Sequence, residues 1–352
     1  MATPDSFLMG LVSGGYAAVT FFFMLSGFIL AYAHAGKTER VGCNVKATTF
    51  WRLRFARIAP AYYLALLIAL PIAIQTFAEA EAPVWSRFVG LSSVLLFLQA
   101  WWPPYAALWN YPAWSLSVEC LFYALFPWLV RASARWSITA LLATTYVLIV
   151  LVTVCQTELL TVGGLFPETR PEHLVLRSFF PILHLPQFVF GMALGRLYLF
   201  GPPVSPRLHA AMLGVGLCVL LLVFGGAWML PEWTRSGAAL ALIFALIVFG
   251  GAGATTTATP LALPVFVLLG EASYSIYILH IPLGHCWYTL SDRVLGPNLP
   301  AWLDFFLYFG FVVVVSVLVF RHFETPLRRW IAGHHAGDRA QTPDRAASWL
   351  KA

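Results

Sequence analysis

The sequence predicts an all-α fold, a polytopic integral membrane helical bundle of about 9–10 transmembrane helices, and three observations carry that prediction. The 352 residues are 60% hydrophobic and only 10% charged, against roughly 25% charged in a soluble domain. Mean hydropathy is +0.79. Apolar runs of the length that crosses a hydrocarbon core, about 20 residues in a helix, recur near 15–35, 58–77, 113–130, 137–155, 178–200, 208–230, 237–253, 263–290 and 301–320. A further run at 88–102 is shorter and ends in Trp101-Trp102-Pro103-Pro104, as expected of a helix that lies in the interface or re-enters.

Basic residues set the expected orientation, because loops rich in Lys and Arg stay cytoplasmic. The loop 36–57 carries Lys37, Arg40, Lys46, Arg52, Arg54 and Arg57 against Glu39. With nine crossings Arg131, Arg135, Arg196, Arg207, Arg321, Arg328 and Arg329 also fall inside, in a cell inner (plasma) membrane with a cytoplasmic C-terminus. The acid-bearing loops around Glu79, Glu158, Glu232 and Asp292 then fall outside. The net charge of +6 therefore reads as orientation rather than nucleic-acid affinity. Residues 1–14 form a short N-terminal segment, 15–330 the membrane domain, and 331–352 a polar tail expected to be disordered. Nothing basic precedes Lys37, so the first apolar run lacks the start of a secretory signal and is expected to remain in the mature protein. Five scattered cysteines, with no C-x-x-C and no histidine at ligand spacing, indicate neither a disulfide framework nor a metal.

Three polar constellations interrupt the apolar background. Ser115, Glu119 and Tyr123 recur every fourth residue and share one face of a helix. A carboxylate at the centre of a span costs roughly 2.5–3.5 kcal/mol, so Glu119 needs a partner or a task. A protonated side chain bonded to a neighbouring helix and a reactive group both meet that need. Arg52-Leu53-Arg54-Phe55-Ala56-Arg57 stands at the mouth of the second span. Arginine forks grip phosphate, but a headgroup anchor explains such a cluster equally well. In Gly270 to Pro282, Ser273, Tyr277 and His280 lie on one helix face while Glu271, Tyr274 and Ser275 occupy another. Pro282 is expected to free a backbone carbonyl beside His280.

The order of these motifs resembles membrane acyltransferase family 3. Phe22-Phe23-Met24-Leu25-Ser26-Gly27-Phe28 is similar to its F-F-x-L-S-G-F segment, and Arg54-Phe55-Ala56-Arg57-Ile58-Ala59-Pro60 to its R-x-x-R-I-x-P loop. Trp114-Ser115-Leu116-Ser117-Val118-Glu119 resembles its W-S-L-S-x-E helix. Ser273 to His280 resembles the late S-Y-x-I-Y-L-x-H span, and Phe323-Glu324-Thr325-Pro326 the closing F-E-x-P. The resemblance runs from 15 to 330 in family order.

It implies an integral-membrane O-acyltransferase that moves an acyl group, expected to be acetyl, from acyl-CoA to a hydroxyl of a carbohydrate such as surface polysaccharide or lipopolysaccharide. It also implies Glu119 and His280 as catalytic residues and Arg54 and Arg57 as ligands of the donor's phosphates. Ser26, Trp114, Ser115, Ser117, Tyr123, Ser273, Tyr277 and Glu324 would support them. The expected partners are acyl-CoA as cosubstrate, a carbohydrate acceptor and the bilayer, with no permanently bound cofactor and no nucleic acid. The family pattern opens with an earlier span in which a basic residue is followed about ten positions on by a histidine taken to be the base, and Met1 to Gly15 contain neither Arg nor His. A start placed too far downstream is the expectation, a shortened homologue the alternative. Two competing classes remain, a transporter or flippase and a non-catalytic subunit of a polysaccharide export assembly. The first should show inverted repeats, and no such symmetry is evident.

Overall fold

A computed structural model describes residues 14–34, 46–79, 83–102, 105–156, 178–226, 230, 232–254, 263–294 and 299–333. The described residues are mainly helical, and no strand occurs among them. In order the helices are α1 (Ala17–His34), α2 (Ala47–Ile68), α3 (Leu70–Glu79), α4 (Val84–Leu95), α5 (Trp114–Ser133), α6 (Ile138–Val154), α7 (Pro181–Phe200), α8 (Pro206–Gly225), α9 (Gly237–Gly253), α10 (Pro264–Val294), α11 (Ala301–Val319) and α12 (Thr325–Ala332). Serine marks three of the starts: the N–H groups of Ala140, Leu208 and Ala239 donate to the hydroxyls of Ser137, Ser205 and Ser236 at 3.2, 3.3 and 3.3 Å. Each satisfies one of the donors that a helix N-terminus leaves orphaned.

Six helices among the described residues are long and apolar enough to cross a membrane, among them Ala17–His34, Tyr111–Ser133, Pro264–Val294 and the continuous Ala301–Ala332. Ala47–Ile68 with Leu70–Phe77 makes a seventh candidate, bent by 57°. Two further apolar helices, α6 and α9, have 17 residues each, at the lower end of what spans. This is a multi-pass membrane protein.

Two expected boundaries move. The basic stretch expected as a loop through 57 is helical from Ala47, so Arg52, Arg54 and Arg57 sit on α2. Hydropathy misses this because arginine lowers the apolar signal while remaining a good helix former. The run at 88–102 is a 12-residue helix, α4, followed by a 3-10 turn at Gln99–Trp101. At 1.5 Å per residue α4 is about 18 Å long, short of a crossing. The N-terminal segment through 13, most of the loop 36–57 before Lys46, the loop 157–177 and the tail from 334 lie outside the described residues.

The chain forms two compact units, one built from Met1–Lys46, Leu95–Ala106 and Trp114–Thr256, the other from Ala47–Val94, Ala107–Ala113 and Thr257–Ala352. In the first, α1 lies directly on α7. A Cβ added at Gly27 would meet Phe188 O at 2.0 Å, and one at Gly191 would meet Met24 O at 1.9 Å, so the backbones touch. Small residues permit this approach, the usual source of cohesion where lipid removes the hydrophobic drive between helices. Beside the contact, Phe122 stacks on Phe188 with centroids 4.6 Å apart, and Phe23 stands edge-on to Phe122 at 5.2 Å. Buried Arg196 of α7 donates to Ser133 O and, at 3.2 Å, to Trp136 O, which satisfies carbonyls at the end of α5.

In the second unit α2 is the hub. α10, α12 and the π-helical turn Phe320–Glu324 pack on it. The Tyr62 hydroxyl donates to Val94 O at 2.6 Å, which fixes α4 to α2. The Trp109 indole donates to Leu66 O at 2.9 Å, one turn before the bend ahead of Pro71.

Candidate active site

Glu119 is the centre of the first cluster. Its helix carries Tyr123 one turn on, as the i+4 spacing predicts, and the Tyr123 hydroxyl donates to Glu119 Oε1. A second hydroxyl arrives from α1, where Ser26 Oγ donates to the same oxygen at 3.4 Å. Two hydroxyls thus meet one carboxylate oxygen inside an apolar unit and hold its orientation. Ser26 precedes Gly27, and the pair divides the work of the segment: the glycine lets α1 touch α7 and the serine faces α5.

The other expected residues of this unit are placed nearby in sequence but do other things. Ser117, fully buried, accepts the Ala100 N–H at 3.4 Å. Ser115 is buried on the same helix. Trp114 belongs to an aromatic box, edge-on to Phe23 at 6.0 Å and against Phe179 at 4.8 Å and the His184 ring at 5.5 Å. His184, which sequence reasoning did not single out, is buried there with its Nε2 3.0 Å from Ser178 O.

The second unit carries the arginine cluster and the α10 motif. Arg57 forms an ion pair with Glu324, and Glu324 is wholly buried. Its other oxygen, Oε2, accepts the Ser275 hydroxyl at 2.5 Å. Arg57 also donates from its second terminal nitrogen to Glu271 O at 3.2 Å and lies 5.5 Å over the Tyr274 ring. The Tyr274 hydroxyl returns to α2, donating to Ile58 O at 2.6 Å. The two faces expected of α10 are therefore real: Glu271, Tyr274 and Ser275 meet α2 and the π-turn. Arg54, one turn before Arg57, stands 5.5 Å over the Phe50 ring.

The opposite face holds His280. Its Nδ1 is 2.6 Å from Tyr277 O. That bond requires the proton on Nδ1 and leaves Nε2 as the basic nitrogen. The Tyr277 hydroxyl donates to Pro112 O at 3.1 Å, and the Tyr308 hydroxyl to His280 O at 3.0 Å. Ser273 bonds within its own helix, to Gly270 O at 2.8 Å. Pro282 lacks the N–H that would reach Ile278 O, four residues back. The fully buried Asn110 supplies a replacement, its side-chain amide donating to that carbonyl at 3.0 Å. Trp109 beside it has φ of 69°, a left-handed backbone unusual for a bulky residue.

Ser26, Trp114, Ser115, Ser117, Glu119 and Tyr123 thus lie in the first unit, and Arg54, Arg57, Ser273, Tyr277, His280 and Glu324 in the second. The structure joins Glu119 with Ser26 and Tyr123, and Arg57 with Glu324. Asn110 escaped the sequence reading, although Pro282 signalled that some donor must serve Ile278. No group of three or more His, Cys, Asp or Glu residues able to hold a metal occurs among the described residues.

The helical membrane protein thus carries a hydroxyl-held carboxylate in one unit and an arginine–carboxylate network in the other. Over residues 2–321 it matches the family described as acyltransferase domain. The chain belongs to this family, acyltransferase 3, and is an enzyme that transfers acyl groups. It is similar to the acyltransferase MdmB of Streptomyces mycarofaciens, 29% identical over 306 residues that cover 82% of this chain and 73% of that one. The peptidoglycan O-acetyltransferase OatA of Listeria monocytogenes serovar 1/2a is 24% identical over 336 residues, 90% of this chain but 52% of its own length. The chain therefore spans about half of that relative. The exopolysaccharide production protein ExoZ of Rhizobium meliloti is 28% identical over 278 residues, 76% of this chain and 75% of its own. No solved structure matches.

Proposed function

We propose that the protein is an O-acyltransferase that moves an acyl group, expected to be acetyl, from acyl-CoA to a hydroxyl of a carbohydrate acceptor such as surface polysaccharide. The names of its relatives support this reading, since one is a peptidoglycan O-acetyltransferase and another an exopolysaccharide production protein. The observation that carries it is Glu119, a carboxylate in a span with two hydroxyls converging on one oxygen. Acyl transfer to an alcohol needs a group that takes the hydroxyl proton as its oxygen attacks the thioester carbonyl and the C–S bond breaks. Glu119 is assigned that role, and Ser26 and Tyr123 hold it. His280, with Nε2 as its basic nitrogen, is assigned a second proton-handling role, and Tyr277 fixes its tautomer. The basic turn of α2 with Arg54 and Arg57 is assigned to the phosphates of the donor. The enzyme is placed in the cell inner membrane with its C-terminus and donor site cytoplasmic, since acyl-CoA is made there and the basic loops follow the positive-inside rule.

The test compares labelled acetyl transfer from acetyl-CoA into glycan by membranes containing equal amounts of wild type and Glu119→Gln. The amide cannot accept the proton, so transfer should fall by about 10²–10⁴-fold, the range of general base contributions. Equal transfer in the two membranes would remove Glu119 from the chemistry.

A further inference from the structure

In the first unit two buried side chains stand side by side, each with a polar group left unpaired. His184 Nε2 donates to Ser178 O at 3.0 Å, so the proton sits on Nε2 and Nδ1 remains an acceptor. That Nδ1 is buried and has no partner among the described residues. The Trp114 indole N–H is a donor, and the Trp114 side chain makes ring contacts but no hydrogen bond among the described residues. The two rings lie 5.5 Å apart between centroids, and two hydrogen bonds through one oxygen reach about as far.

A buried acceptor beside a buried donor is costly while both stay empty. A hydroxyl fills both at once, since it donates one proton and accepts another. A lone water fits less well, because a buried water makes about three hydrogen bonds and this box offers two. Its remaining walls are apolar: the Phe23 ring is 5.2 Å from that of His184, and the Phe179 ring 4.8 Å from that of Trp114. A hydroxyl of an organic ligand brings its own carbon to meet those rings. Aromatic faces suit the C–H faces of a sugar as the two polar groups suit its hydroxyl edge, the mixture usual in small-molecule sites. Phe179 is half-buried, so the box stands at the edge of the unit rather than at its centre.

The box adjoins the Glu119 cluster through two helices. Phe23 precedes Ser26 by one turn on α1, and both face α5, where Phe23 meets Trp114 and Phe122 and Ser26 meets Glu119. Trp114 and Glu119 are five residues apart on α5, about 7.5 Å along its axis.

We propose that Trp114 and His184 form a subsite for one hydroxyl of the carbohydrate acceptor, the indole N–H donating to it and His184 Nδ1 accepting from it, with Phe23 and Phe179 flanking the sugar. The inference rests on the reading that the acceptor is a carbohydrate and Glu119 its base. α5 then acts as a ruler. It carries the holding group and the reacting carboxylate at a fixed interval, and so selects which hydroxyl comes to Glu119.

The experiment uses full-length enzyme in proteoliposomes, with labelled acetyl-CoA and increasing amounts of glycan extracted from cells that lack the enzyme. Trp114→Phe keeps an aromatic ring but loses the N–H, and His184→Leu removes the acceptor. Each should raise the glycan KM about tenfold or more, with the acetyl-CoA KM within about twofold of wild type. His184→Asn, whose amide oxygen takes the place of Nδ1, should bring the glycan KM back to within about threefold. A packing role alone gives another pattern, lower thermal stability and lower kcat at unchanged glycan KM, and that result overturns the proposal. Glycan and acetyl-CoA KM values that rise in step overturn it as well, since the box would then shape the unit as a whole. Should His184→Leu fail to fold, Trp114→Phe decides alone, and an unchanged glycan KM in that variant refutes the subsite. Wild type that leaves the glycan unlabelled refutes the carbohydrate reading itself, a result distinct from labelled glycan with an unmoved KM.

Discussion

Gly27→Ala tests the link from backbone packing to the Glu119 cluster. The new Cβ would lie 2.0 Å from Phe188 O, whereas ordinary contact begins at 3.4 Å. The obstacle is backbone, so no rotamer change relieves it, and α1 must retreat from α7 by about 1.4 Å or tilt. Overpacking of this kind costs about 1–3 kcal/mol, and a rigid obstacle puts this case at the upper end. Ser26 moves with its neighbour. Its bond to Glu119 Oε1 is already 3.4 Å, near the limit of a hydrogen bond, so a shift of that size breaks it. The variant should therefore lose thermal stability in detergent and also lose acetyl transfer, by about tenfold if the lost bond contributes near 1.4 kcal/mol. Gly214→Ala is the matched control, because nothing lies within 4 Å of a Cβ there. It should be neutral or slightly stabilising. A Gly27→Ala protein that melts and turns over like wild type would refute the reasoning.

Other outcomes follow from single bonds. Tyr123→Phe removes one of the two hydroxyls on Glu119 Oε1 and should lower kcat about tenfold with little change in donor KM, measured in proteoliposomes. Asn110→Leu leaves Ile278 O buried without its donor and should destabilise by about 1–3 kcal/mol in a denaturant titration. Adding Pro282→Ala returns the missing N–H to the helix, so the double variant should recover most of that loss. No recovery would mean that Asn110 serves something other than the proline gap.

What could be read from the sequence and what could not divides along a physical line. Every long apolar run became a helix, because lipid leaves a backbone no other way to satisfy its polar groups. The i+4 relation of Glu119 and Tyr123 was legible because it is a property of one helix. Ser26 was reached through the resemblance, since its partner lies on another helix, and spacing within α1 says nothing of α5. The helical start at Ala47 was hidden because arginine suppresses hydropathy without opposing helix. Arg57 was legible as a phosphate-binding candidate, but its pairing with Glu324 joins opposite ends of the chain and depends on a π-turn that no local pattern announces. Asn110 was half legible: proline in a helix declares an orphaned acceptor, but not which residue answers it.

The two 17-residue helices have a mechanical consequence for the surrounding lipid. α6 and α9 pack side by side in the first unit, and at 1.5 Å per residue each offers about 26 Å of apolar length against about 30 Å of acyl chains. Neighbouring helices that both fall short cannot correct the mismatch by tilting, which only shortens them further. Two short neighbours suit a thinner apolar layer along that flank, so the enzyme should slow as the fatty-acyl tails of its vesicles are lengthened.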